Sequence, residues 1–143
     1  MFDQVKTRLG ARVPELAGRI HLADDFSRLM AENRLPTHSL TAYLVPVGLT
    51  GQTPNAGAGA FVQPFQDVLG VVLFLRAIDQ TGRRALERLD DFLMDVITAI
   101  AGWAPSDVVG VYQLKTARLI RSTQGALAYQ IDFSINNELR IFT

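Results

Sequence analysis

From Phe61 to Ala101 the chain passes from alternating apolar and polar positions, through an unbroken apolar run, into a helical repeat. The partial alternation over Phe61–Asp67 predicts a strand with one wet face. The run Val68–Leu75 predicts a strand covered on both faces. Pro64 lacks an amide proton, which places that end of the strand past the sheet or at its rim. Leu86, Leu89, Leu93, Val96, Ile97 and Ile100 then mark one side of a helix, with Arg83, Arg84, Glu87, Arg88, Asp91 and Asp95 on the remainder. Arg83 and Glu87 lie four apart, a spacing worth about 0.2–0.5 kcal/mol when the two pair. Phe92 and Met94 fall at or beyond the margin of the apolar stripe, so Met94 is expected at the surface. Gly102 ends the helix before Trp103-Ala104-Pro105.

The flanking segments are shorter. Phe2, Val5, Leu9 and Val13 recur at helical spacing, and Gly10 with Val13-Pro14 ends that helix near residues 10–13. A short extended piece is read at 18–22. Asp24-Asp25 reads as a helix start, because a carboxylate caps free amides and suits the positive end of the helix dipole. Phe26, Leu29 and Met30 form that helix's apolar stripe, and Leu35-Pro36 closes it. Residues 40–47 read as a strand, and Pro46 sets it at an edge or marks its end. Residues 48–60 hold four of the eleven glycines and no charge, and are predicted to be a flexible thirteen-residue hairpin tip, with or without a contact role. Residues 111–121 and 127–135 form a second hairpin across Ser122–Gly125; in its second arm Leu127, Tyr129, Ile131, Phe133 and Ile135 alternate with smaller or polar residues. The tail NNELRIFT receives no assignment.

These elements predict one α+β domain over residues 1–143, in two layers. Four strands (about 40–47, 61–78, 111–121 and 127–135) form a largely antiparallel sheet, and the helices pack on one face of it.

Composition narrows function mainly by exclusion. There is no cysteine, so disulfides, thiolate metal sites and cysteine nucleophiles are absent. Fourteen basic residues balance fourteen acidic ones, which argues against a specific nucleic-acid partner and does little to oppose self-association. No apolar stretch approaches membrane-span length, and the N-terminus lacks a signal-peptide core, so the protein is expected to be cytoplasmic where it is made. His21 and His38 have no companion at metal-ligand spacing, and no nucleophile, phosphate-loop or dinucleotide pattern is present. Asp24-Asp25 and Asp90-Asp91 read as helix capping and a solvated helix face. Arg83, Arg84 and Arg88, like Lys115, Arg118 and Arg121, read as solvated surface rather than a phosphate site. Trp103 reads as a plug at the end of the core. Neither an enzyme nor a cofactor or metal site is expected.

Four phrases resemble the tail terminator (tail completion) proteins of long-tailed bacteriophages and prophages. They are MFDQVKTRLGARVPELAGRI, the strand TAYLVPVGLTGQ with its Gly/Ala/Asn continuation, FVQPFQDVLGVVLFLRA, and ALERLDDFLMDVITAIAGWAP. GWAP after the long helix is the most telling of them, and the likeness spans nearly the whole chain.

The resemblance implies a structural protein with no active site. Its copies would form a ring, usually of six, on the head-proximal end of the tail tube, stopping polymerisation and offering a head-joining surface. The implied partners are further copies of the chain, the tail tube protein and head–tail connector proteins, in a virion tail assembled in the bacterial cytoplasm; no membrane is implied. Candidate contact residues are Gln52, Asn55, Phe61, Gln63, Phe65, Arg84, Arg88 and Met94. A head–tail connector or other minor tail component is a second reading, and a small-molecule or regulatory binding module a third, from a different class.

Overall fold

The computed structural model describes residues 2–32, 40–57, 59–76, 83–106, 108, 110–123 and 126–142, with the side chains at 56, 83–86 and 121–123 outside that description. The predicted closure at Leu35-Pro36, His38, the strand end at 77–78, the Arg83 side chain and the 124–125 turn lie outside the described residues. Helix α1 (Phe2–Arg12) leads through a 3-10 turn at Pro14–Leu16 to β1 (Ile20–His21) and α2 (Ala23–Ala31). Strands β2 (Leu40–Gly51), β3 (Asn55–Gly57) and β4 (Ala60–Arg76) follow, then α3 (Arg83–Ile100), β5 (Gln113–Thr123) and β6 (Ala126–Phe142).

The strands form one mixed sheet in the order β1-β2-β4-β6-β5, with β3 also paired to β4. Among the described residues, only the β1–β2 contact is parallel. The α+β class and the two hairpins agree with the sequence. The strand number does not: β1 and β3 join the four expected strands.

Side chains alternate across a strand, so the register divides the sheet into two faces. Leu40, Ala42 and Leu44 of β2, Leu69 to Leu75 at odd positions of β4, and Leu127, Ile131, Phe133 and Ile135 of β6 share the front face. They pack with Val5, Leu9, Val13 and Leu16, and with Leu89, Phe92, Val96, Ala99 and Ile100 of α3. Tyr43, Val72, Phe74 and Ala128 point to the back, where Leu29 and Phe26 of α2 cover them. Phe26 and Phe74 both lie near the Tyr43 ring, with centroids 5.6 Å away in each case. The expected two-layer arrangement with all helices on one face is therefore corrected. Strand segment 68–75 is apolar on both faces, and α1 and α3 can cover only one of them; α2 supplies the other.

Further corrections follow from local physics. Asp24 and Asp25 do not cap α2. Leu22 is its N-cap residue and makes no side-chain bond, and the two carboxylates sit within the first turn, where the helix dipole favours them. Phe92 is buried, not marginal, whereas Met94 is exposed as expected. Beta strand β2 does not end at Pro46: a register shift between Pro46 and Gly48 absorbs the proline, and pairing resumes to Gly51. On its outer side, β2 is paired only at Ala42 and Tyr43 among the described residues, which leaves Pro46 at a sheet edge.

Helix α3 stops as predicted at Gly102, whose φ of +80° suits a residue without a β-carbon. Gly102 then donates to the Tyr112 carbonyl, and Tyr112 donates back to Trp103, both at 2.8 Å. Trp103 stacks on Tyr112 with centroids 6.3 Å apart, and the Arg8 guanidinium lies 5.3 Å from the Trp103 ring. Arg8 Nε also donates to the Ala99 carbonyl at 2.9 Å, which ties α1 to the end of α3. The GWAP phrase thus closes the core, as the plug reading of Trp103 expects.

Candidate interaction surfaces

The segment read as a flexible tip is mostly sheet. Residues 48–51 pair with 65–68 of β4, and 55–57 pair with 60–62. Gly57 faces Ala60 across the turn, where Gly59 has a φ of +78°. Residues 136–142 of the tail NNELRIFT, which has no assignment from sequence, are the end of β6, paired with β4 from Asn136↔Gln66 to Phe142↔Ala60. Pro64 accordingly lies inside the sheet and not at its rim, opposite Glu138 of β6. Its carbonyl accepts from the Gln52 amide at 2.8 Å, at the break between β2 and β3. The uncharged composition of 48–60 had pointed to a coil. A sheet formed against both flanks of β4 needs backbone pairing there, not a core of its own.

The outcome is a three-stranded blade that continues past the helices. Its front face presents Leu49, Phe61, Gln63, Phe65, Leu139 and Ile141. Leu49 is 69% exposed, Leu139 43% and Ile141 47%, while Phe61 and Phe65 are half-buried. Asp67 and Tyr112 mark where the core ends. Burial raises the Asp67 carboxyl above its ordinary value. Burial, with a contribution from the Asp67 charge, pushes the Tyr112 hydroxyl up to about 12.

Of the predicted contact residues, Phe61, Gln63 and Phe65 share this front face, each beside an exposed or half-buried β6 residue. Gln52 lies at their margin, where Gln63 Nε2 donates to its carbonyl at 3.0 Å. Asn55 pairs with Val62 and so belongs to the back-face row. Met94 and Arg88 are elsewhere, on the outer side of α3, where the Arg88 guanidinium lies 5.0 Å from the Phe92 ring. The Arg84 side chain lies outside the described residues. The described candidates therefore divide among the front of the blade, its back (Asn55) and the outer side of α3. Leu49, Leu139 and Ile141 were missed, although the alternation of Leu139 and Ile141 with Glu138 and Arg140 was a readable strand signal.

Nothing among the described residues assembles a reaction centre. His21 lies 3.9 Å from Asp25, and its ring packs at a tilt beside Tyr43 with centroids 5.3 Å apart. The buried Asp132 accepts from Gln130 at 2.8 Å, Arg118 at 3.3 Å and Thr116 at 3.4 Å, a satisfied network on the back face. No group of three or more metal-ligating side chains occurs among the described residues, and no described helix is long and apolar enough to cross a membrane.

A family model described as phage tail terminator protein matches residues 2–143. No curated protein matches the chain significantly.

Proposed function

The chain belongs to the phage tail terminator protein family, a family of tail structural proteins, and we propose that its copies close a ring on the head-proximal end of the tail tube. The ring stops tube polymerisation and presents the surface to which the head joins. One observation carries this reading: the blade extends an ordered, apolar face beyond the core, with Leu49, Leu139 and Ile141 uncovered in the single subunit. Contiguous exposed apolar surface marks contact sites, and covering it gains roughly 25 cal/mol per Å². Because these side chains stand on paired strands rather than a loop, little ordering entropy opposes their docking. The blade is assigned to the tube, and the ring contacts to other surfaces of the subunit. A ring requires such head-to-tail contacts, which close by rotation.

The test is tube assembly with and without the protein, followed by electron microscopy. Rings at one end and tubes that cease to lengthen are expected. Tubes that elongate unchanged, with no protein at either end at any concentration, would refute the proposal. Binding to head–tail connectors without tube binding would favour a connector role. A deletion of Gln52–Gly59, which removes β3 and its turn, is expected to abolish capping and the yield of joined particles.

A further inference from the structure

The far end of β6 is a free edge of the blade. Strand β5 pairs with β6 no further than Gln113↔Ser134, and the Gly110 backbone lies against that of Asn136. Beyond this point no described strand pairs with the outer flank of residues 137–142. The Pro64 carbonyl accepts from Gln52, so Pro64 faces the other flank of β4, and its partner Glu138 turns its own amide and carbonyl away from β4. The Glu138 amide accordingly donates to Asn137 Oδ1 at 2.8 Å. Alternation then points the amides and carbonyls of Glu138, Arg140 and Phe142 outward.

Strand β2 carries Pro46 and a register shift, and β5 carries Lys115 and two register shifts, all devices that oppose pairing at an edge. Residues 137–142 hold no proline or lysine, and their ladder with β4 runs without a shift. The two charges on this edge, Glu138 and Arg140, are opposite in sign and share the back face, where they pair at 3.1 Å. Their spacing is self-complementary. With two antiparallel copies of the strand related by a two-fold axis at Leu139, Glu138 of each faces Arg140 of the other. An axis at Glu138 or at Arg140 would set like charges directly opposite, which is destabilising.

We propose that two copies of the chain pair through this edge, antiparallel, about a two-fold axis at Leu139. Glu138 of each copy exchanges backbone hydrogen bonds with Arg140 of the other, whose carbonyl replaces the Asn137 side chain at the Glu138 amide. The two side chains form an ion pair across the junction. Leu139 faces Leu139 at the close, non-hydrogen-bonded position, and Ile141 faces Asn137. The axis stands perpendicular to the sheet, so the apolar front faces of the two blades join. Such a contact is isologous, unlike the head-to-tail contact of a ring. It therefore belongs to the chain free of the tube and does not rest on the ring reading.

The chain has no cysteine, so an introduced thiol reports this contact alone. Leu139→Cys brings two thiols within disulfide reach, because the α-carbons of a non-hydrogen-bonded pair lie about 4.5 Å apart. Ile141→Cys is comparably exposed, but its counterpart lies opposite Asn137, about 14 Å along the strand. Under mild oxidation of the free protein, Leu139→Cys is expected to form covalent dimer about tenfold faster than Ile141→Cys. Equal rates would overturn the pairing.

Charge reversal is the second arm, read by sedimentation equilibrium. The mass of the native chain is expected to rise with concentration from 15.7 kDa toward twice that value. Glu138→Arg sets cation against cation and Arg140→Glu acid against acid, and each is expected to weaken dimerisation about tenfold. Both positions are exposed, so the fold tolerates the changes. An equimolar mixture of the two variants, and the double variant Glu138→Arg/Arg140→Glu, are expected to dimerise again, because opposite charges face each other in both. A native chain that stays monomeric at every concentration, single variants that dimerise like the native chain, or no recovery in the mixture would refute the proposal.

Discussion

The amide of Gln52 donates to the carbonyl of Pro64 at 2.8 Å, on the flank of β4 where proline has no N–H to offer. In an extended strand the N and O of one residue point the same way, so the break between β2 and β3 falls where a continuous strand would leave an acceptor unpaired. Gln63 Nε2 holds the other side of the break through the Gln52 carbonyl at 3.0 Å. Gln63→Ala is expected to cost about 0.5–1.5 kcal/mol at most. It should also speed hydrogen exchange at the β3 amides 55–57. Unchanged exchange there would show that this side chain does not hold the break.

Leu139 and Ile141 are exposed, so replacing either with aspartate should change stability by only about 0.5 kcal/mol. On the proposed reading, tube capping should nevertheless fall by an order of magnitude or more. Melting curves and counts of capped tube ends separate the two effects.

Phe92 and Met94 stand two residues apart on α3 with opposite fates, 7% and 59% exposed. Phe92→Ala empties a core position and should cost about 3–5 kcal/mol, a large part of a typical total stability of about 5–15 kcal/mol. Met94→Ala should cost about 0.5 kcal/mol or less. Urea unfolding of the two variants checks the contrast.

Asp67 has a carboxyl raised by burial, so the folded protein holds that proton more tightly than the unfolded chain. The stability that this proton confers is fully present below the unfolded pKa and is lost as pH rises through the folded one. Asp67→Asn mimics the protonated form. It should raise the melting temperature at pH 7, and the gain should shrink as pH falls through the raised carboxyl range. A constant gain at all pH values would contradict this account.

Gly110 approaches the β6 backbone closely: a β-carbon there would sit 2.7 Å from the Asn136 carbonyl oxygen. That neighbour is main chain and cannot rotate away. Gly110→Ala should therefore cost roughly 1–3 kcal/mol, the scale of overpacking. Thermal unfolding measures it.

Where a segment's neighbours are dictated by its own pattern, the sequence was a reliable guide. Val68–Leu75 has no polar position, so it had to be buried on both faces, and it is. The Gly102 stop, the Trp103 plug and the exposure of Met94 likewise follow from local pattern. Phe92 was misplaced because a helical stripe has no sharp margin: its position depends on the 3-10 turn and α1 packed beside it. Residues 48–60 and 136–142 were missed for a different reason. The first has no strand signature and the second only the short alternation over 138–141, and each is ordered by pairing along one flank of β4.

The hydrophobic pattern thus sufficed for the α+β class, the long central strand, the amphipathic helix after it and the late hairpin, since periodicity reports directly which side of an element avoids water. The back-face position of α2, the blade and the grouping of Phe61, Gln63 and Phe65 with Leu139 and Ile141 depended on long-range strand register. Hydrogen bonds between residues some 80 apart in the chain set that register, and no local pattern encodes which distant backbone a strand will meet.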